Sequence, residues 1–233
     1  GAYMRFLEPG WLEVHQEQLN LEIFQSQVPL KILHLSDFHA SPVVPYYFIE
    51  KAVDLGIAQQ PDLICLTGDF ISSRLENPAE YIRIFSKLSA AAPTYACFGN
   101  HDGGAWVSTH CGGYKDLTPM NMLLAASHVH VLLNQQDVVS IGGQDYEIIG
   151  LGDPWTGDFA PETVLETTRK EQRPLILLSH NPDNKGHLAQ YDWDLMLCGH
   201  THGGQLKVPF TGDTPFAPVR DHRFIEGLHV WNN

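Results

Sequence analysis

Five short polar segments follow five apolar runs of the sequence, each directly after its run ends. They are Asp37-Phe38-His39, Gly68-Asp69, Gly99-Asn100-His101-Asp102, His180-Asn181 and Gly199-His200-Thr201-His202. Asp, Asn and His offer oxygen and nitrogen ligands, a set that suits Mn²⁺, Fe or Zn²⁺ rather than a soft metal or an iron–sulfur cluster. In an extended backbone the alternate residues of Asp37-x-His39 and of His200-x-His202 project to the same side, so each pair can reach one metal ion or two adjacent ones.

The apolar runs before these segments are predicted strands. They cover Ile32–Leu35, Leu63–Thr67, Thr94–Phe98, Leu175–Ser179 and Leu195–Cys198. Helical patterns lie around Phe48–Ala58, Ala79–Leu88, Pro119–Ala126 and Pro161–Lys170. Strands that alternate with helices predict a layered α/β protein. Because open α/β sheets bind ligands at the carboxyl ends of their strands, we expect the five segments to converge on one site.

The rest of the chain is less regular. Val138–Ile141 and Tyr146–Leu151 flank two glycines and predict a hairpin, Gly103–Leu117 reads as a long Gly-rich loop, and Leu228–Trp231 reads as a final strand. No repeat, low-complexity segment or linker divides the chain, so we expect one domain over residues 1–233.

Composition excludes several classes of protein. The formal net charge is −13, which argues against nucleic-acid binding because phosphate neutralisation needs an excess of Lys and Arg. No apolar run approaches the ~18 residues that span a bilayer. None of the four cysteines forms a C-x-x-C pair, which favours a reduced compartment, and no signal-peptide pattern is present, so we expect a cytoplasmic protein. We also expect a monomer. Phe6, Leu7 and Trp11 either pack on the fold or touch a membrane surface, and peripheral association through a segment absent from this chain stays open.

The five segments resemble the motif blocks of the calcineurin-like metallophosphoesterase superfamily, all present in order between Asp37 and His202. The longer stretches Leu178–Asp183 and Trp193–Gln205 are similar to the bacterial branch that contains YaeI, YkuE and LpxG. One block alone would be weak evidence, whereas five in order are specific. The resemblance implies an α/β fold, a four-layer α/β/β/α sandwich of two mixed sheets.

The resemblance also implies roles for eight residues. Asp37, His39 and His202 would hold one divalent ion, Asn100, His180 and His200 the second, and Asp69 would bridge them. His101 would face the substrate phosphate as the catalytic residue. The two ions, Mn, Fe or Zn, would outweigh the carboxylates and attract an anionic ester to an acidic protein.

The implied reaction is hydrolysis of a phosphodiester or pyrophosphate by a hydroxide that bridges the metals. The branch allows a lipid-linked substrate such as a UDP-2,3-diacylglucosamine of lipid A biosynthesis. Two alternatives stay open: a non-catalytic metal-binding scaffold of the same fold, and a phosphomonoesterase or protein phosphatase. The Ser/Thr protein phosphatases carry a further Asp three residues after the second block, and Ser72 occupies that position here.

Outside the blocks, two segments are candidates for substrate contact. Trp106, His110 and Tyr114 lie in the Gly-rich loop, which is either functional or simply solvated. Asp153-Pro154-Trp155 follows a predicted strand as the motif blocks do, although Pro and Trp also suit ordinary turn packing. The pattern assigns no substrate-binding residue.

Overall fold

The computed structural model describes residues 12–24, 29–166, 173–204 and 217–231. Its strands, numbered in chain order, are β1 Ile32–Leu35, β2 Leu63–Thr67, β3 Thr94–Cys97, β4 His130–Val131, β5 Gln135–Ile141, β6 Gln144–Gly150, β7 Leu175–Leu178 and β8 Leu195–Leu197. Its helices are α1 Tyr46–Ile57, α2 Pro78–Ala91, α3 Ala105–His110, α4 Thr118–Ala126, α5 Glu162–Leu165 and α6 Lys185–Leu188.

Two four-stranded sheets form the centre of the fold, in the orders β1-β2-β3-β4 and β5-β6-β7-β8. The β5–β6 hairpin is antiparallel and β6, β7 and β8 run parallel, so the second sheet is mixed. Within the described part of the chain every pairing of the first sheet is parallel, which corrects the expectation of two mixed sheets. The physical reason is that α1 and α2 cross over between successive strands, and such crossovers return the chain in the same direction.

Alternate side chains of each central strand face opposite layers. In β2, Leu63 and Cys65 pack between the sheets, while Ile64 and Leu66 pack against the helices. The outer face of the second sheet is covered in the same way by residues of α5 and α6. The layer order is therefore helix, sheet, sheet, helix, which confirms the expected α/β sandwich.

The helices of the first outer layer begin with recognisable local signals. Asn77 caps α2, where its side-chain oxygen accepts the Glu80 amide at 3.3 Å, and Pro78 occupies the first helical position. One face of this amphipathic helix buries Tyr81, Phe85 and two further apolar residues against the sheet. This packing fixes the strands whose ends carry the polar segments.

Several predictions about peripheral elements were wrong. Gly103–Leu117 is not all loop, because it contains the short helix α3. Within the described residues, 228–231 pairs with no strand, and Val230 is 83% exposed there. The predicted helix Pro161–Lys170 is seen as α5, and its last four residues lie outside the described residues, as do Phe6, Leu7 and Trp11. Among the described residues, no helix combines the length and apolar character that crossing a membrane requires.

Candidate metal centre

The five polar segments lie just past the carboxyl ends of five parallel strands. Asp37 and His39 follow β1, Asp69 follows β2, and Asn100 and His101 follow β3 in the first sheet. His180 follows β7, and His200 and His202 follow β8 in the second sheet. Direct contacts bring seven of these residues together at the same edge of the sandwich, and Asn100 directly precedes one of them, His101.

Asp69 lies at the middle of this arrangement. Its Oδ1 accepts the His101 backbone amide at 2.8 Å, which leaves Oδ2 facing the histidines. Oδ2 lies 3.4 Å from His39 Nε2 and 3.3 Å from His180 Nε2. One carboxylate oxygen is therefore adjacent to side chains from both sheets.

The ligand atoms fall into two groups that share Asp69. Potential ligand atoms of Asp37, His39, Asp69 and His202 all lie within 4.8 Å of one another, and so do those of Asp69, His180 and His200. In the first group the Nε2 atoms of His39 and His202 are 3.0 Å apart. In the second group, His200 Nδ1 is 3.2 Å from His180 Nε2. Ring nitrogens this close are in the arrangement that a shared cation requires.

Asn100 supplies an independent observation that the residues fit a metal. Its backbone lies between Gly99, which packs against Asp69 and His180, and His101, which binds Asp69. Its Oδ1 atom is buried and has no hydrogen-bond partner within the described residues. A buried acceptor without a partner costs about 1–3 kcal/mol, and a cation would satisfy it. The oxygen and nitrogen donor set suits Mn²⁺, Fe or Zn²⁺.

Backbone carbonyls orient two of the histidines. His180 Nδ1 donates to the Thr67 carbonyl at 2.6 Å, and His200 Nε2 donates to the Pro218 carbonyl at 3.1 Å. Each bond fixes the orientation of the ring and turns the opposite ring nitrogen towards the centre, where it can bind a cation once it carries no proton. This is the usual way in which proteins hold a metal-binding imidazole.

The loops after β1 and β2 that carry these side chains are joined by backbone hydrogen bonds, and several of their residues have strained backbone conformations. The amides of Asp37 and His39 donate to the carbonyls of Gly68 and Asp69, each at 3.0 Å. Among the described non-glycine residues with positive φ, five belong to the site: Asp37, His39, Asp69, His200 and His202. Such conformations cost of order 1–3 kcal/mol each and cluster at functional sites.

Electrostatics within the cluster favour the protonated form of one histidine, His180. Burial opposes the protonation of His180, but the charge and hydrogen bond of Asp69 outweigh burial and raise its pKa to about 10. Burial lowers the pKa of His39 and of His200 to about 4, so their rings are neutral near pH 7. Burial also opposes the ionisation of Asp69, yet the charge of His180 lowers its pKa overall.

The comparison with known families agrees with this donor set. The sequence matches the family described as calcineurin-like phosphoesterase over residues 30–204. The chain belongs to the calcineurin-like phosphoesterase family. Members of the family use divalent metals, and the expectation that this protein is a metal-dependent hydrolase is confirmed.

Similar curated proteins come from bacteria. The chain is 40% identical over 231 residues to phosphodiesterase YaeI of Escherichia coli strain K12, covering 99% of this chain and 81% of that protein. It is 32% identical over 240 residues to the metallophosphoesterase YkuE of Bacillus subtilis strain 168, covering 98% and 77%. It is 29% identical over 246 residues to the UDP-2,3-diacylglucosamine pyrophosphatase LpxG of Chlamydia trachomatis serovar D, covering 90% and 74%. The predicted resemblance to this branch of the phosphoesterases is confirmed.

His101 of this phosphoesterase is placed by a backbone group. Its Nδ1 donates to the Ser72 carbonyl at 2.8 Å, which directs Nε2 away from that carbonyl. Its ring packs edge-on against His39, with ring centroids 4.8 Å apart. Ser72 therefore orients His101 through its main chain, without the carboxylate that protein phosphatases carry at this position.

The buried Asp102 side chain joins the loops that follow β2 and β3 in the phosphoesterase. The sequence pattern did not reveal this role. Its carboxylate accepts the backbone amides of Asp69, Phe70 and Gly99 at 2.9, 2.7 and 2.8 Å. Burial and the nearby Asp69 carboxylate raise the pKa of Asp102 to about 8, while these amide bonds act in the opposite direction. Only its position at the end of the Gly-Asn-His-Asp block marked this residue in the sequence.

Asp153 is a second buried carboxylate near the phosphoesterase site. It is 1% exposed, its Oδ1 accepts the Trp155 amide at 2.8 Å, and its Oδ2 has no hydrogen-bond partner within the described residues. Burial raises its pKa to about 6, against the lowering effect of the His180 charge. Its position after β6 matches that of the motif blocks, which is the signal that the sequence offered.

Proposed function

We propose that this phosphoesterase hydrolyses phosphodiester or pyrophosphate bonds at a centre of two divalent ions, Mn, Fe or Zn. The observation that carries the proposal is that Asp69 belongs to both groups of ligand atoms. Asp37, His39 and His202 would complete the first ion's coordination, and Asn100, His180 and His200 the second's. When bound, two such ions clamp phosphate oxygens and bring the pKa of coordinated water toward about 7.

The chain's own residues support the rest of the reaction. The Asp69 carboxylate, held through Oδ1 by the His101 amide, keeps Oδ2 between the two groups. His101, held through Nδ1 by the Ser72 carbonyl, directs Nε2 away from that carbonyl, where it would stabilise the phosphoryl charge or transfer a proton to the leaving oxygen. Such a general acid contributes about 10²–10⁴-fold to the rate.

Two observations support the preference for diesters and pyrophosphates: the names of similar proteins and the backbone contact between Ser72 and His101. The relatives include a protein named as a phosphodiesterase and one named as a UDP-2,3-diacylglucosamine pyrophosphatase. Protein phosphatases carry an Asp at the position of Ser72. Here His101 instead donates a hydrogen bond to the neutral backbone carbonyl of Ser72. We therefore place phosphomonoesters and phosphoproteins second, and a UDP-2,3-diacylglucosamine-type lipid nucleotide among the candidate substrates.

The experiment loads the protein with Mn²⁺, Zn²⁺ or Fe and compares bis(p-nitrophenyl) phosphate with p-nitrophenyl phosphate. We expect the diester to be cleaved faster, EDTA to stop the reaction, and Asp69→Asn to abolish it. The matched control is Asp116→Asn, because Asp116 is exposed and its bond to the Thr118 amide needs only an oxygen acceptor. Faster cleavage of the monoester would favour a phosphomonoesterase, and two bound ions with no turnover would favour the scaffold.

A separate assay tests the pyrophosphate substrate. Incubation of the metal-loaded protein with UDP-2,3-diacylglucosamine should release UMP if the lipid nucleotide is cleaved at its pyrophosphate. The same assay with and without vesicles tests peripheral membrane association. We further propose a cytoplasmic monomer, and sedimentation of the full chain tests its oligomeric state.

A further inference from the structure

Two tryptophans from distant parts of the chain form a wall beside the candidate metal centre. Trp106 lies on α3 and Trp155 lies in the loop after β6, with ring centroids 5.2 Å apart. Trp106 packs edge-on against His101 at 5.0 Å, and Trp155 packs edge-on against His200 at 5.1 Å. This tryptophan wall, defined as Trp106 and Trp155, therefore touches the catalytic candidate and a ligand candidate of the second ion.

The wall is held in place by contacts on both sides. Asp153 accepts the Trp155 amide through Oδ1 and the Thr156 hydroxyl through its carbonyl, each at 2.8 Å. Gly104 has a φ of 112°, and a Cβ there would lie 3.3 Å from Thr156 Cβ, so α3 begins directly against this loop. Rings fixed before binding lose little freedom when a ligand arrives.

The character of the wall indicates what it binds. Trp155 keeps 39% of its surface exposed despite its contacts with Trp106 and His200. His110 stacks on Trp106 with an interplanar angle of 26°, so the surroundings of the wall are aromatic rather than aliphatic. Aromatic faces favour planar rings through offset stacking, whereas an acyl chain gains no such geometry.

We propose that the tryptophan wall binds a planar ring, of the nucleobase or aryl class, in the organic part of the ester whose phosphate occupies the metal centre. The inference rests on the proposed function, because the phosphoryl group must bind beside His101 and His200 for the attached ring to reach the wall. Trp155 is the specificity-determining residue, and Trp106 supports it. Asp153 positions Trp155 through the backbone amide.

The test measures dissociation constants by titration calorimetry on the full chain loaded with Mn²⁺. The probes are methylphosphonate, benzylphosphonate and cyclohexylmethylphosphonate, which share the headgroup and differ in the ring. We expect benzylphosphonate to bind about tenfold or more tightly than cyclohexylmethylphosphonate, since one stacking contact changes affinity by roughly 5- to 150-fold. Methylphosphonate reports binding of the phosphoryl group alone.

Substitutions assign the preference to the wall. Trp155→Ala should bring the ratio of the benzyl and cyclohexylmethyl dissociation constants close to one, and Trp155→Phe should retain most of it. The matched control is Tyr47→Ala, which removes an aromatic ring that is 73% exposed on α1, and it should leave the ratio unchanged. Metal content measured on each variant reports whether the centre itself has been disturbed.

Three results would overturn the inference. Equal affinities of the native protein for the two ring probes would show that the wall does not select planar rings. Equal weakening of all three probes by Trp155→Ala would show a structural role only. Failure of methylphosphonate to bind the native protein would reject the proposed function itself, and this inference with it. Binding of methylphosphonate without a preference between the two ring probes would reject this inference alone.

Discussion

Gly99 offers a sharp test of how tightly the two halves of the site are packed. A Cβ at this position would lie 2.8 Å from His180 Cε1 and would overlap Asp69 Oδ1. Carbon atoms normally approach to about 3.5 Å, so about 0.7 Å of overlap with His180 must be relieved. Gly99 is not among the glycines with positive φ, so the cost of Gly99→Ala is steric.

Overpacking of this kind typically costs about 1–3 kcal/mol, and we expect Gly99→Ala to lower the free energy of unfolding by that amount. Displacement of Asp69 and His180 should also lower the metal content retained after dialysis. The measurements are urea unfolding in EDTA and in Mn²⁺, with elemental analysis of both samples. In Mn²⁺ the loss of unfolding free energy should be larger, because a variant that binds the metal weakly also loses the stabilisation that bound metal provides. That stabilisation is about 2.7 kcal/mol for a ligand at 100 times its dissociation constant.

The matched control is Gly186→Ala on α6. No atom lies within 4 Å of a Cβ at that position, and the glycine is exposed. The same chemical change should there raise the free energy of unfolding by up to about 1 kcal/mol, since Ala favours a helix over Gly. Native stability and native metal content in Gly99→Ala would refute the close approach of Asp69 and His180 on which the site depends.

Three further outcomes follow from the same geometry. His101→Ala should keep the metal content and lower kcat by about 10²–10⁴-fold, and an unchanged kcat would remove His101 from the reaction. Metal binding at pH 7 should release about one proton, because His180, with its pKa raised to about 10, must lose its proton to bind an ion. Affinity should then rise with pH by about tenfold per unit, and calorimetry in buffers of different ionisation enthalpy measures the proton. Removal of the metal by EDTA should lower the free energy of unfolding, and Mn²⁺ should restore it; equal unfolding curves would contradict a metal held by the native state.

The strands and the residues at their ends could be predicted because both depend on local pattern. Short apolar runs predict buried strands. A polar segment that directly follows such a run must lie at the carboxyl end of that strand. The β5–β6 hairpin was predicted for the same reason, from two glycines between alternating segments. The final strand was predicted wrongly, since Leu228 and Val230 are both exposed and an apolar alternation specifies a strand only when a partner is available.

What could not be predicted depends on contacts between distant segments. The sequence places Pro218 eighteen residues after His200, and nothing in the pattern shows that its carbonyl orients that imidazole. Trp106 and Trp155 were noted separately, and only the close packing of Gly104 against Thr156 explains why they meet. The role of Asp102 likewise arises from backbone amides of two loops that the fold brings together.

The central claim is that one carboxylate, Asp69, serves two metal ions at once. Its most direct test is the metal content of the native protein and of Asp69→Asn, measured by elemental analysis after equilibration with Mn²⁺ and dialysis. The account predicts two ions per native chain and loss of both in the variant, with Asp116→Asn retaining two. A native chain that binds a single ion, or an Asp69→Asn variant that keeps two, would contradict it.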